Sequence, residues 1–313
     1  MKVYTHPLRN WDKNTYLESY KKHKHLNKKY GFKGTLIFTS SNDIFDPWSL
    51  AQWLCEGTND QPLIALNPSY LHPFTAAWRT LSLTKLYQRA IAINWITGAS
   101  LSEGKKLGEN LAKQTKYARL KEYSQVYHQL LYSSTPLNFN GEYYQLQGAQ
   151  LAEKCEYQID YFLAGESTFA TNVAMAINAN QLVMVNPKNS YPNHVKSLSF
   201  GLLIEETDAR AVAAANSLFE KTAVSKRTLD FAALNTDSIW KNRLISEVGD
   251  EVKQGYTANS LLKFGETPFI VGSVEFIKQY ISKLKLKGID NLIVTLARER
   301  DYEMFSSILT QCL

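Results

Sequence analysis

Cysteine is scarce: Cys55, Cys155 and Cys312 are the only three in 313 residues, and no two form a CxxC pair. So wide a spacing offers no disulfide framework and points to a reducing compartment. The opening stretch MKVYTHPLRNWDK lacks the apolar core of a secretory leader. No run reaches the roughly 18 apolar residues that a membrane span needs. A cytoplasmic protein with no membrane partner is therefore expected. A dominant charge is missing as well, since 35 basic residues against 29 acidic ones leave a net +6. The densest basic run, KKHKHLNKK at 21 to 29, has no aromatic residues interleaved, and helical geometry disperses its side chains around the axis. It reads as a solvated helix face, so no nucleic-acid partner is expected. His23 and His25 stand two apart, point in different directions on a helix, and make a poor metal pair. Absent too are HExxH, GxxxxGKS/T, GxSxG and GxGxxG, which removes motif support for zinc-protease, P-loop, hydrolase-elbow and dinucleotide-fold readings. No metal site is expected.

What is present is ordinary in bulk: 44% hydrophobic and 20% charged residues describe a globular chain long enough to bury a large core. Eight short apolar runs, rich in branched and aromatic residues, recur along it: KVYTHP, GTLIFTS, QPLIALNP, RAIAINWITG, IDYFLAG, QLVMVNP, SLSFGLLIE and DNLIVTLA. Between them lie helical patterns such as YLESYKKHKHLNKKYG (16 to 31), FTAAWRTLSLTKLY (74 to 87), YARLKEYSQVYHQLLY (117 to 132) and TFATNVAMAINA (168 to 179). Strand alternating with helix predicts parallel pairing, because parallel neighbours need a crossover that a helix supplies. Eight such units predict an α/β fold of the (β/α)8 TIM-barrel kind as a single domain over 1 to 313, with a doubly wound open sheet as the alternative. The patterns ending KYG and KLKLKG each stop on glycine, which caps a helix in the left-handed conformation at little cost.

Two segments interrupt the rhythm. Between 132 and 160, Asn140 and Gly141 separate alternating runs and predict a β-hairpin near 135 to 150. Residues 222 to 266, rich in Thr, Asn, Lys and Ser with weak periodicity, predict a lid-like insertion between the seventh and eighth strands.

In such barrels chemistry gathers at the carboxyl ends of the strands. There the chain offers His6, Asn94, Thr97, Gly98, Gly165, Glu166, Ser167 and Thr295, a polar set short of general bases. His6, at the end of the first strand, is a candidate base. The turn AGES, 164 to 167, closes an apolar run and opens an Ala-rich helix. Glycine permits close backbone approach, and the N–H groups of a helix N-terminus with the hydroxyls of Ser167 and Thr168 suit a phosphate. Serine is equally a favoured helix N-cap, so both readings stand. Glu166 lies in the same turn, where a carboxylate competes with a phosphate for those N–H groups.

Residues 62 to 98, PLIALNPSYLHPFTAAWRTLSLTKLYQRAIAINWITG, run from strand to Pro-bearing loop, Ala-rich helix, Arg-ended loop and a strand closing on Thr-Gly. KYARLKEYSQVYHQLLYSSTPLNFNGEYYQLQGAQL (116 to 151), the FLAGES turn and FIVGSVEFIKQYISKLKLKGIDNLIVT (269 to 295) follow in order. In that order and spacing the chain resembles the flavin-dependent luciferase-like monooxygenases, most of all the alkanesulfonate monooxygenase branch, with 185 to 265 poorly matched.

The resemblance implies FMN at the carboxyl face. Gly165, Glu166 and Ser167 would form the phosphate turn, Tyr117 would donate to the phosphate, and Asn94, Thr97 and Gly98 would lie along the ribityl chain and ring. It further implies a small-molecule substrate, O2, reduced FMN supplied by a separate flavin reductase, and a homodimer. Lys263 falls where an Arg is expected in the insertion, and it joins His6 as a catalytic candidate that keeps the charge but loses the two-pronged fork. Other positions depart. Ile44 stands where the sulfonate enzymes carry cysteine, SLSFGLLIEET lacks the branch's Arg and His, and VTLARERDY lacks the Tyr expected soon after its strand. These departures point away from a simple sulfonate, and they leave a flavin-binding protein without oxygenase activity as a second reading. His72, before a helix-opening Pro, reads as structural.

Overall fold

The computed structural model describes residues 1–8, 13–220, 223–249, 251–262 and 267–312. The chain opens with β1 (Lys2–Pro7), α1 (Lys13–Tyr30), β2 (Gly34–Ile37), α2 (Pro47–Cys55), β3 (Leu63–Leu66), α3 (Pro73–Tyr87) and β4 (Ala92–Trp95). It continues through α4 (Leu101–Lys106), α5 (Lys113–Tyr132), β5 (Leu137–Asn140), β6 (Gln145–Ala149), β7 (Asp160–Ala164), α6 (Thr168–Ala176), β8 (Asn180–Met184) and β9 (Ser197–Glu205). Then come α7 (Asp208–Leu218), α8 (Ala223–Leu234), α9 (Ile239–Ser246), β10 (Gly255–Thr257), β11 (Phe269–Ser273), α10 (Val274–Leu286), β12 (Asn291–Leu296) and α11 (Glu299–Cys312).

The eight expected strands are β1, β2, β3, β4, β7, β8, β9 and β12. Their order is β9-β12-β1-β2-β3-β4-β7-β8, and β8 also pairs with β9, which closes the (β/α)8 barrel. That closing pair, Leu182–Met184 against Ser197–Ser199, rules out the open sheet. Two features lay outside the expectation. β11 adds a parallel strand against the far half of β9, with β10 antiparallel beside it. The crossover from β8 to β9 contains no helix.

Two compact units are distinguished: Met1–Leu36 with Leu182–Leu313, and Ile37–Gln181. In the first, β9 shows why a continuous apolar run makes a strand buried on both faces. Its Leu198, Phe200, Leu202 and Ile204 share a core with Ile277, Ile281 and Leu284 of α10 and Phe305 and Ile308 of α11. Leu203 packs instead with Ala211, Ala215 and Phe219 around α7 and with Phe269 and Val271 of β11. Each such side chain contributes about 1.5–3 kcal/mol by leaving water. The basic run in α1 is amphipathic: Lys21, Lys22, Lys28 and Lys29 are exposed as expected, but His23, Leu26 and Asn27 are buried. His23 Nδ1 meets the Tyr302 hydroxyl at 2.7 Å and its Nε2 the Thr35 hydroxyl at 3.2 Å, while Thr5 Oγ1 donates to Asn27 Oδ1 at 2.5 Å. Burial, and secondarily the nearby His6, lowers the His23 pKa to about 3.

The expected insertion is only partly a loop. It builds α8, α9, β10 and a single 3-10 turn, Asn259–Leu262, whose residues are all buried. Arg243 of α9 donates to Val185 O at 3.4 Å, and Thr267 Oγ1, just past the segment, donates to Met184 Sδ at 3.6 Å, so the chain is tied near the end of β8 both within the segment and where it leaves it.

In the second unit, β3, β4 and β7 pair in parallel. Helix α3 begins at Pro73 with His72 as its N-cap, Nδ1 accepting from Phe74 N–H at 3.2 Å. Burial lowers the pKa of His72, in keeping with an accepting, neutral ring. β5 and β6 form the expected hairpin, but its connection spans 141–144 rather than two residues. The Glu122 carboxylate of α5 accepts the N–H groups of Glu142 and Tyr143 at 2.9 Å and of Tyr144 at 3.4 Å, so a side chain sets the turn in place of the Asn-Gly pair.

Candidate cofactor site

Strand alternation orients the first functional residue. Trp95 of β4 packs edge-on against Tyr123 and Tyr127 of α5, at ring-centroid distances of 5.9 and 5.1 Å, and so faces the helix layer. Asn94, its neighbour, projects from the opposite face. It is buried, and its Oδ1 has no hydrogen-bond partner. An unpaired buried acceptor costs about 1–3 kcal/mol, which marks this atom as one shaped for a donor beyond the chain.

The second element is the turn after β7. Gly165 has φ +151, and a Cβ built there would stand 2.8 Å from the Tyr117 hydroxyl and 2.9 Å from the Ala170 Cβ. Only glycine fits that cradle, so the phenol of α5 lies directly over the turn. Tyr117 is buried, and its ring stacks on Phe169 at 6.3 Å with a 24° interplanar angle. Gln181 Nε2 donates to Gly165 O at 2.8 Å and fixes the turn from below. Ser167 is the N-cap of α6, its Oγ accepting from Ala170 N–H at 3.2 Å. A hydroxyl that accepts in this way keeps its own O–H for donation, so cap and phosphate ligand are compatible roles. Glu166 is partly exposed.

The third element is the rim formed by the loops after β2, β3 and β4. Gly98 has φ +76 and lies against Asn67, whose Nδ2 would be 2.9 Å from an added Cβ; Thr97 beside it is half-buried. Asn67 Oδ1 accepts from Ser69 N–H at 3.0 Å. The Ser69 hydroxyl donates to Glu109, and Arg119 reaches Glu109 Oε2 at 2.6 Å and Ser69 Oγ at 2.9 Å. Lys116 Nζ donates to Gly98 O at 3.4 Å and lies 3.9 Å from Glu109 Oε1. A second carboxylate, Glu103, accepts from Ser41 N–H at 2.5 Å and from the Tyr70 hydroxyl. Burial alone raises the Glu103 pKa, but these hydrogen bonds outweigh it and hold the carboxyl below its ordinary value. In this way two glutamates stitch three loops together. Asn67 and Ser69 were legible as polar residues at the carboxyl end of the third strand, whereas Glu109, Lys116 and Arg119 were not singled out. The available signal was Lys116 and Arg119, three apart on a helix that starts just after Glu109.

The described residues thus include a helix N-terminus with a close-packed glycine turn, a phenol over it and, on β4, a buried amide oxygen without a partner. A family model described as luciferase-like monooxygenase matches residues 25–198, more than half of the chain. The chain belongs to the luciferase-like monooxygenase family. Among curated relatives of this luciferase-like chain is BtrO of Niallia circulans, named as the monooxygenase of a 4-(gamma-L-glutamylamino)butanoyl group on the acyl-carrier protein BtrI. It is 27% identical over 321 residues, spanning 95% of this chain and 92% of the relative. Among solved structures, EDTA monooxygenase from Chelativorans sp. BNC1 superposes with a TM-score of 0.72 at 12% identity, covering 99% of this chain and 94% of that one. The oxygenating constituent of 3,6-diketocamphane monooxygenase from Pseudomonas putida, in complex with FMN, gives a TM-score of 0.71 at 13% identity, covering 99% and 98%. At those identities the structures share the fold.

The two catalytic candidates of this luciferase-like chain fare differently. His6 in β1 is buried, with Nδ1 3.1 Å from Pro7 O and Nε2 2.5 Å from the Thr295 hydroxyl of β12. A carbonyl only accepts, so Nδ1 carries the proton and Nε2 accepts from Thr295. Lys263 lies outside the described residues. The expected FMN set Asn94, Thr97, Gly98, Tyr117, Gly165, Glu166 and Ser167 falls entirely within Ile37–Gln181.

Proposed function

We propose that this luciferase-like protein is an FMN-dependent monooxygenase of the two-component type, acting on a small organic substrate with reduced flavin delivered by a separate reductase. The observation that carries the reading is the Gly165–Ser167 turn, closed to a Cβ at Gly165, with the Tyr117 hydroxyl against it and Ser167 as the N-cap of α6. FMN fits the residues present. Its phosphate would take the Ser167 and Tyr117 hydroxyls and the first N–H groups of α6. The amide of Asn94 would meet a ring or ribityl donor, and Thr97 and Gly98 would flank it. Bound reduced FMN supplies the electrons that activate O2.

The protein's part is to hold, orient and shield. His6, with Nδ1 on Pro7 O and Nε2 on the Thr295 hydroxyl, would act as a base only by exchanging its Thr295 hydrogen bond for the substrate's proton. Lys263 would keep a cation in the 222–266 insertion, the segment whose proposed part is to exclude water. The architecture is that of the alkanesulfonate branch, worked by one domain per chain in a cytoplasmic homodimer. The substrate is of another kind: β9, SLSFGLLIE, carries neither Arg nor His, and Ile44 replaces a cysteine. The relative named for a carrier-bound glutamylaminobutanoyl group supports a substrate from specialised metabolism. That same β9 composition favours the second reading, a flavin-binding protein without oxygenase activity.

The test is anaerobic titration with oxidised and photoreduced FMN, followed by O2 uptake with a flavin reductase and carrier-bound or free acyl amides. Tight binding of the reduced form and substrate-dependent O2 consumption are expected. Binding with no oxygenated product from any acyl amide would favour the second reading, and failure of both redox forms to bind would remove both.

A further inference from the structure

The loop after β4 is held by a closed circuit of side chains that the FMN set does not include. From Gly98 the circuit runs to Asn67, which fills the space of the missing Cβ. Asn67 Oδ1 takes the Ser69 N–H at 3.0 Å, and the Ser69 hydroxyl donates to Glu109. Glu109 Oε1 lies 3.9 Å from Lys116 Nζ, and Lys116 returns to Gly98 O at 3.4 Å. Arg119 braces the carboxylate at 2.6 Å from the next turn of α5. The circuit's charged side chains are little exposed, at 7%, 9% and 17% for Glu109, Lys116 and Arg119, while Ser69 and Gly98 are half-buried.

We infer that Glu109 is a positioning residue for the flavin, fixing Thr97 and Gly98 through Lys116 on one side and Ser69–Asn67 on the other. The inference rests on the FMN reading above. The physical ground is the concentration of charge. One carboxylate compensates two buried cations, and each cation or its hydroxyl neighbour reaches the same loop. A buried pair adds little net stability over an apolar substitute, whereas removal of one partner leaves an uncompensated charge. Here the loss is read out at Gly98, the single point where both arms of the circuit meet. Surface packing would not need that convergence, since a lone Glu109–Arg119 pair would already satisfy the helix.

The experiment compares the full-length wild type with Glu109→Ala, Glu109→Gln and Ser69→Ala. Three quantities are read: the thermal midpoint, the FMN dissociation constant by fluorescence quenching, and the visible absorption envelope of bound FMN. The expected result is at least tenfold weaker binding by Glu109→Ala, with the bound spectrum moving toward that of free FMN. Glu109→Gln keeps an acceptor for Ser69 and Arg119 but leaves both cations uncompensated, so it should recover only part of that affinity. Ser69→Ala opens one arm without unbalancing charge and should weaken binding about threefold at an unchanged midpoint. It carries the test if Glu109→Ala does not fold. The inference is overturned if the wild type binds FMN while every folded variant binds within twofold and with the same spectrum. It is equally overturned if affinity tracks the thermal midpoint alone, with no recovery in Glu109→Gln. A wild type that binds no FMN overturns the underlying reading instead.

Discussion

Replacing Gly165 by alanine tests the cradle most directly. An alanine Cβ at this position stands 2.8 Å from the Tyr117 hydroxyl and 2.9 Å from the Ala170 Cβ, on a residue with φ +151. Holding a non-glycine residue in so sparse a backbone region costs about 1–3 kcal/mol. Overpacking of this size adds about 1–3 kcal/mol, since Ala170 is helix-bound and only Tyr117 can yield. If the turn keeps its shape, the loss is about 2–6 kcal/mol. For a chain of this length it would appear as roughly 3–9 °C in the thermal midpoint. If Tyr117 moves aside instead, the backbone strain and the Ala170 contact remain, so the stability loss is reduced rather than removed, while the proposed phosphate loses its phenol donor and FMN affinity falls about tenfold. Paired thermal melts and FMN titrations separate the two routes. Gly57→Ala is the control, because Gly57 has φ +65 with nothing within 4 Å of an added Cβ, so it carries backbone strain without the clash. A Gly165→Ala protein matching wild type in both melt and titration would refute the cradle.

Other expectations are narrower. Ser167→Ala removes both cap and donor, so it should cost about 1 kcal/mol in the melt. It should also weaken FMN binding about fivefold or more, whereas an unchanged dissociation constant would leave Ser167 as a cap only. Asn94→Leu should weaken FMN binding while leaving unfolding free energy unchanged or raised, because the Asn94 acceptor has no partner in the chain; a destabilised variant by chemical denaturation would contradict that assignment. For His23, the folded pKa of about 3 lies below the ordinary 6.5, so the unfolded chain takes up the extra proton first. Stability is then complete above about pH 6.5 and falls as pH drops toward 3, by about 2 kcal/mol at pH 5. His23→Gln should flatten this dependence in denaturant titrations at pH 7.5 and 5, and an equally steep loss in the variant would assign the effect to other groups.

Alternation made the fold readable. All eight barrel strands stand out as short apolar runs, most of them separated by helical patterns. What escaped has a physical reason. β11, FIVGS, is five residues fused directly to α10, so its period is too short to separate from the helix that follows. The helices of the insertion were hidden because no clear apolar stripe marks them: among the described side chains, Phe231 and Leu234 of α8 and Ile239 of α9 are exposed. His23 was hidden inside a lysine run for the opposite reason, since a buried polar cluster leaves no hydrophobic signature. At the site, the glycine turn and the N-cap were legible because they are local chemistry. Glu109 was not, because its partners Ser69 and Arg119 lie 40 residues before it and 10 after.

Ser167 shows why the contest between cap and ligand was misposed. An N-cap uses one lone pair of the hydroxyl, and Ala170 N–H occupies it at 3.2 Å. The bond also locks the rotamer, because the Oγ must sit over the third N–H of the helix. A serine so locked directs its remaining O–H at a fixed place beside the same helix end, where the macrodipole already favours negative charge. Capping therefore lowers the entropy that binding would otherwise have to supply, and the two roles reinforce each other. The carboxylate of Glu166 competes only if it points at those N–H groups. In the proposed reading an FMN phosphate would meet the Ser167 hydroxyl, locked by its cap bond, and the Tyr117 hydroxyl over the turn, two donors that the Glu166 carboxylate does not replace.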